Sequence, residues 1–82
     1  MRVEELDTPA LCVDLDVLEK NISDLQSACN ALDIPLRVHT KTHKTPAIAQ
    51  MQIRAGAIGI ASQKIGEAVA MADAGIEDIL IP

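Results

Sequence analysis

Apolar residues recur at steps of three and four along the first half of the chain. The series consists of Leu15, Leu18, Ile22, Leu25, Cys29 and Leu32. This spacing places all of them on one stripe of a helix. Asp14 or Asp16 is available as the N-cap, and Glu19 follows Asp16 by three residues, as in a capping box. We therefore predict a helix over residues 16–32, which ends before Pro35.

The remaining chain alternates short strand-like runs with amphipathic runs. The strand-like runs are residues 8–13, 36–40, 57–61 and 78–81. Continuously apolar strands are typical of a parallel sheet whose two faces are both covered. Thr45 followed by Pro46 indicates a helix start, and Ser62 is a candidate cap for a later helix. Gly56 and Gly75 indicate helix ends.

The strand–helix unit recurs about every 20 residues, and a run of such units predicts an α/β architecture, either a barrel or a doubly wound sheet. A (β/α)8 barrel needs eight strands and typically about 250 residues. The 82 residues provide three barrel-type strands. They would therefore form only part of a barrel.

Composition narrows the class of protein. Apolar residues make up 49%, but Phe, Tyr and Trp are absent, so the core must consist of small aliphatic side chains. The net charge of −5 disfavours a nucleic-acid-binding protein, whose contact surface is basic. No apolar run has the length of about 20 residues that a membrane span requires, and no signal peptide is evident. We expect a soluble, cytoplasmic protein with Cys12 and Cys29 as reduced core thiols.

Both histidines and three of the seven Lys and Arg residues lie within residues 37–44, here called the basic segment. Its members are Arg37, His39, Lys41, His43 and Lys44. Side chains alternate between the two faces of a strand. The face toward the helices is then predicted to carry Leu36, Val38 and Thr40, and the opposite face Arg37, His39 and Lys41. Lys41 would lie at the carboxyl end of the strand, where α/β folds place their active sites.

A lysine at that position is a candidate Schiff-base nucleophile. A lysine amine has an ordinary pKa of about 10.4, so it attacks aldehydes at neutral pH only where burial or neighbouring cations favour its neutral form. Three other interpretations remain open. The segment could be a solvated basic strand end, His39 and His43 could bind zinc although no third ligand is evident, or the KTHK cluster could bind an anion.

Several sequence blocks occur in a characteristic order along the chain. They are residues 6–11, 14–15, 18–19 and 21–22, then 55–57, 59–60, 67–68, 74–76 and 78–80. Between them, residues 37–46 read RVHTKTHKTP. Together the blocks resemble the opening of D-threonine aldolases and eukaryotic-type D-serine dehydratases, whose motif reads R-P-H-x-K-T-H-K-[ST]-P. Val38 replaces the usual proline of that motif, which only relaxes a backbone constraint.

The resemblance implies the fold of alanine racemase, in which a pyridoxal-phosphate barrel precedes a β-rich C-terminal domain. Residues 1–82 would be part of the N-terminal (β/α)8 barrel domain, with about three barrel strands, and residues 8–13 would belong to the sheet of the C-terminal domain. The first lysine of KTHK carries pyridoxal phosphate in the family, and it corresponds to Lys41. We expect His39, Arg37 and Gln63 to contribute to the cofactor site.

The resemblance also implies a lyase that cleaves the Cα–Cβ bond of β-hydroxy D-amino acids to glycine and an aldehyde. The residues Gln63-Lys64 resemble the aldolase branch more than the dehydratase branch. A divalent metal is expected in the complete protein, with ligands outside this chain, and so is a homodimer. The alternatives are β-elimination of water as in D-serine dehydratase, amino-acid racemisation, or a non-catalytic fragment that keeps Lys41.

Overall fold

The computed structural model describes residues 2–5 and 9–82. Three helices alternate with three strands along the described chain. They are α1 Leu15–Ala31, β1 Arg37–His39, α2 Pro46–Ala55, β2 Gly59–Ala61, α3 Ile65–Asp73 and β3 Ile79–Leu80, with 3-10 turns at Val3–Glu5 and Thr40–Thr42. This order confirms the α/β architecture predicted from the sequence.

The three strands form one parallel sheet in the order β1-β2-β3. In its register, Arg37, Val38 and His39 pair with Gly59, Ile60 and Ala61, and the last two pair in turn with Ile79 and Leu80. The parallel arrangement is therefore confirmed, although each strand is shorter than predicted. Of the predicted strand 8–13, Thr8 lies outside the described residues, and residues 9–13 form no strand.

The ends of the helices show which capping signals the fold uses. The Asp14 carboxylate accepts a hydrogen bond from the backbone N–H of Val17 at 3.2 Å, so Asp14 is the N-cap of α1 and the predicted capping box at Asp16 is wrong. Gly56 ends α2 at a φ of 130°, as predicted. The N-cap of α3 is Lys64, not Ser62, because the Ser62 side chain is buried elsewhere.

The core lies between the sheet and the helices. Its buried members are Val38, Ala49, Ala57, Ile60, Met71 and Ile76. Val38 and Ile60 are neighbours in register, and full burial of a side chain such as Ile60 contributes about 1.5–3 kcal/mol. The predicted core of small aliphatic residues is thus confirmed. Both cysteines are free, but Cys12 is exposed and is not the core thiol we predicted.

Apolar side chains remain accessible on α3 and around β3. Ile65 is 72% exposed, Leu80 51% and Ile81 46%. Met71, on the other side of α3, is buried at 1%. The side chains of Ile65, Leu80 and Ile81 therefore remain exposed within the described part of the chain. None of the helices in the described part of the chain has the length and apolar character needed to cross a membrane.

Candidate functional site

The basic segment leaves the sheet through a tight turn. β1 ends at His39, and residues Thr40–Thr42 form a 3-10 turn that places Lys41 two residues beyond the strand. The His39 Nδ1 accepts a hydrogen bond from the Lys41 backbone N–H at 3.1 Å. The Lys44 backbone N–H donates to the Thr40 carbonyl at 2.7 Å. Lys41 therefore lies at the carboxyl edge of the sheet, in a turn and not on the strand itself.

Thr40 fixes this turn to the neighbouring strand. Its hydroxyl donates to the Ala61 carbonyl at 3.3 Å and lies 3.3 Å from the Ser62 hydroxyl. Because the single Thr40 proton is used on Ala61, the Ser62 hydroxyl must donate to Thr40 Oγ1. Both residues are fully buried. This burial does not by itself test the prediction that Thr40 faces the helices.

The two lysines of KTHK have different surroundings. Lys44 Nζ forms an ion pair with Glu67 at 3.4 Å, and the Glu67 side chain is only 16% exposed. The Lys44 backbone has a φ of 51°, which is uncommon for a residue with a side chain. Lys41 is exposed and forms no ion pair with any residue in the ranges 2–5 and 9–82. Within those ranges the Lys41 amine thus has no ionic partner, whereas Lys44, whose side chain is 61% exposed, is paired with Glu67 of α3.

His43 is part of the connection to α2. Its Nδ1 accepts from the Thr45 backbone N–H at 2.9 Å, and its Nε2 lies 3.2 Å from Gln52 Oε1. With Nδ1 as an acceptor, the neutral ring carries its proton on Nε2 and donates it to Gln52. No group of three His, Cys, Asp or Glu side chains in the described chain is arranged to hold a metal ion. The zinc interpretation of His39 and His43 thus has no structural support.

Arg37 connects all three strands at the opposite, amino-terminal edge of the sheet. Its Nη1 donates to the Ile60 carbonyl at 2.9 Å and pairs with Asp78 Oδ1 at 2.9 Å. The guanidinium passes over Gly59, where an added Cβ would lie only 2.7 Å from Nη1. This cross-strand contact was not predictable from the sequence, because Asp78 lies far from Arg37 along the chain.

Gln63 lies at the same edge as Lys41. Ala61 pairs in register with His39, and Gln63 follows Ala61 by two residues just as Lys41 follows His39. Gln63 is exposed and His39 is half-buried. The structure thus brings Lys41, His39 and Gln63 to one edge, whereas it gives Arg37 partners at the other.

Comparison with curated proteins identifies relatives over nearly the whole chain, although no family model matches. A D-threonine aldolase from Arthrobacter sp. is 45% identical over 76 residues, which are 93% of this chain and 20% of the relative. A 3-hydroxy-D-aspartate aldolase from Paracoccus denitrificans is 38% identical over 82 residues, 99% of this chain and 21% of the relative. A D-threo-3-hydroxyaspartate dehydratase from Delftia sp. strain HT23 is 43% identical over 75 residues, 92% of this chain and 20% of the relative.

Comparison with solved structures finds similarity to the same aldolases and dehydratases. A D-threonine aldolase from Filomicrobium marinum superposes with a TM-score of 0.93 and 44% identity, over 96% of this chain and 21% of that protein. A variant of the D-threo-3-hydroxyaspartate dehydratase in the metal-free form gives a TM-score of 0.90 and 42% identity, over 94% of this chain and 20% of that protein. The chain therefore belongs to the family of D-threonine aldolases and 3-hydroxyaspartate aldolases and dehydratases, and it spans about one fifth of the length of the curated relatives it matches.

Proposed function

We propose that the polypeptide containing this chain is a pyridoxal-phosphate-dependent lyase with Lys41 as its cofactor-binding lysine. Its reaction would cleave the Cα–Cβ bond of β-hydroxy D-amino acids to glycine and an aldehyde. The observation that supports the choice of lysine is the difference between the two amines of KTHK. Lys44 is paired with Glu67, whereas Lys41 is exposed at the carboxyl edge of the sheet.

The residues at this edge fit the part of the cofactor that a lysine binds. A primary amine condenses with the aldehyde of pyridoxal phosphate, and Lys41 presents such an amine from a turn whose backbone is hydrogen-bonded to His39. When bound, the cofactor acts as an electron sink for the bond that is broken. We propose that His39 and Gln63 line the cofactor. For Arg37 we propose a supporting role through β1, because its Nη1 is already bound to Ile60 and Asp78.

The complete protein is proposed to close these strands into a (β/α)8 barrel and to form a cytoplasmic homodimer. We also propose a divalent metal, in line with the metal-free form described for a related dehydratase. Its ligands would lie outside this chain, since the described residues include no group of three metal-binding side chains in reach of one ion.

A dehydratase reaction is the second candidate. The chain is 45% identical to a D-threonine aldolase and 43% identical to a hydroxyaspartate dehydratase, so sequence identity does not separate the two reactions. In both, the same lysine would bind the cofactor. They differ in products, because β-elimination yields a keto acid and ammonia, whereas bond cleavage yields glycine and an aldehyde.

The role of Lys41 is tested by chemical trapping. The polypeptide at its natural length is incubated with pyridoxal phosphate, reduced with borohydride, and digested for peptide mass spectrometry. We expect the pyridoxyl group on Lys41, loss of both label and lyase activity in Lys41→Ala, and retention of label in the control Lys44→Ala. Label on Lys44 instead would contradict the assignment. Product analysis with D-threonine, D-serine and 3-hydroxy-D-aspartate then separates aldolase from dehydratase.

A further inference from the structure

We infer that the buried hydroxyls of Thr40 and Ser62, here called the hydroxyl pair, position Lys41 for its reaction with an aldehyde. The inference rests on the proposed role of Lys41. Thr40 directly precedes Lys41, and Ser62 directly follows β2. The hydroxyl pair thus connects the turn that carries the lysine to the end of the neighbouring strand.

The hydroxyl pair occupies a place where apolar side chains would be expected. Thr40 and Ser62 have no solvent exposure and lie at the ends of two neighbouring strands. A hydroxyl buried without a partner destabilises the fold, so the pair is tolerated only in the arrangement that satisfies both groups. That arrangement is a chain of two hydrogen bonds, from Ser62 to Thr40 and from Thr40 to the Ala61 carbonyl, each 3.3 Å long.

The hydrogen bonds of the hydroxyl pair affect Lys41 because they connect its turn to β2. The turn is closed on its own side by the bond from the Lys44 N–H to the Thr40 carbonyl. That local bond fixes the shape of the turn, but not its place relative to β2. The Thr40 hydroxyl supplies this second constraint by binding Ala61, the residue in register with His39. Lys41 is thereby fixed with respect to the edge that carries Gln63.

A fixed position of the Lys41 amine matters because the rate of a reaction between two groups in one site depends on how their reacting atoms are placed. Displacement of a reacting atom by about 1 Å costs as much as a hundredfold in rate. Loss of a hydrogen bond between the turn and β2 lets the turn sample other positions. Thr40 and Ser62 do not themselves touch the reacting atoms, so they are positioning residues.

The test follows the rate at which pyridoxal phosphate labels Lys41 in the natural-length polypeptide, before borohydride reduction and peptide mass spectrometry. Thr40→Val keeps the side-chain shape and removes the hydroxyl, and Ser62→Ala removes its partner. Thr42→Val is the matched control, because Thr42 also adjoins Lys41 but is exposed. We expect Thr40→Val, which removes both hydrogen bonds, to slow labelling about tenfold, and Ser62→Ala, which leaves the Thr40–Ala61 bond in place, to slow it about fivefold, with the double variant no slower than Thr40→Val alone. Thr40→Ser, which keeps the hydroxyl, and Thr42→Val should stay within about twofold of wild type.

The outcomes separate the inference from the function on which it rests. Wild-type protein that takes no label at Lys41 would overturn the proposed function. Wild-type labelling at Lys41 with Thr40→Val and Ser62→Ala equal to Thr42→Val would overturn the positioning role alone. Labelling is compared at urea concentrations where far-ultraviolet circular dichroism shows each variant folded. If Thr40→Val does not fold, Ser62→Ala decides, and labelling at the control rate would contradict the inference.

Discussion

Replacing Gly59 with alanine should destabilise the fold by about 3 kcal/mol, because overpacking at a rigid position typically costs about 1–3 kcal/mol and a displaced hydrogen bond adds about 1 kcal/mol. An added Cβ would lie 2.6 Å from the Asp78 carbonyl oxygen and 2.7 Å from Arg37 Nη1. The Asp78 carbonyl cannot easily move, since it accepts the Ile60 N–H at 2.9 Å in the sheet. The methyl group therefore displaces either a strand or the guanidinium.

The measurement is urea unfolding of the natural-length polypeptide, followed by far-ultraviolet circular dichroism because this chain has no Trp or Tyr. Gly66→Ala is the matched control. Apart from its chain neighbours and the backbone of its own helix, no described atom lies within 4 Å of a Cβ added at Gly66, and the residue lies in α3, where alanine is favoured over glycine by up to about 1 kcal/mol. Gly59→Ala should lower the midpoint and Gly66→Ala should raise it. A midpoint for Gly59→Ala equal to wild type would refute the reasoning.

Two further substitutions test other contacts. Glu67→Gln removes the charge that pairs with Lys44. Because such an ion pair is worth up to about 1 kcal/mol, we expect up to about fivefold more pyridoxyl labelling of Lys44, measured by peptide mass spectrometry. Unchanged labelling of Lys44 would show that the pair does not restrain it. Asp14→Ala removes the N-cap of α1 and should cost about 1 kcal/mol in urea unfolding. Asp16→Ala, which breaks no cap bond, should cost about 0.5 kcal/mol, and equal losses would contradict the assignment of the cap.

Structural features that depend only on residues close together in the sequence could be predicted from it. The helix α1 and the stop of α2 at Gly56 follow from periodicity and from backbone preference, and both are confirmed. The parallel sheet followed from continuously apolar strands. The N-cap of α1 could not be predicted uniquely, because two residues in the sequence were equally suitable for it. Asp14 and Asp16 are equally good caps by residue type, and only the geometry of the chain entering α1 selects Asp14.

Features that depend on register could not be predicted. Ser62 has the residue type of a helix cap, but the strand pairing buries its hydroxyl beside Thr40. The contact of Arg37 with Asp78 likewise requires knowledge of which residues lie opposite each other across two strand pairs. At the candidate site, the motif selected Lys41 over Lys44. The ion pair of Lys44 with Glu67 is a difference between the two lysines that sequence alone did not contain.

The register of the sheet has a consequence for the order of events during synthesis. Arg37 pairs with Gly59 and Ile60 pairs with Ile79, so each strand pair closes a loop of only about 20 residues at modest entropic cost. Chains fold from the amino terminus as they emerge from the ribosome, and short loops close early. The turn around Lys41 has all its described partners once Glu67 has been made. A nascent chain would therefore set the geometry of the turn that carries Lys41 before the third strand is in place.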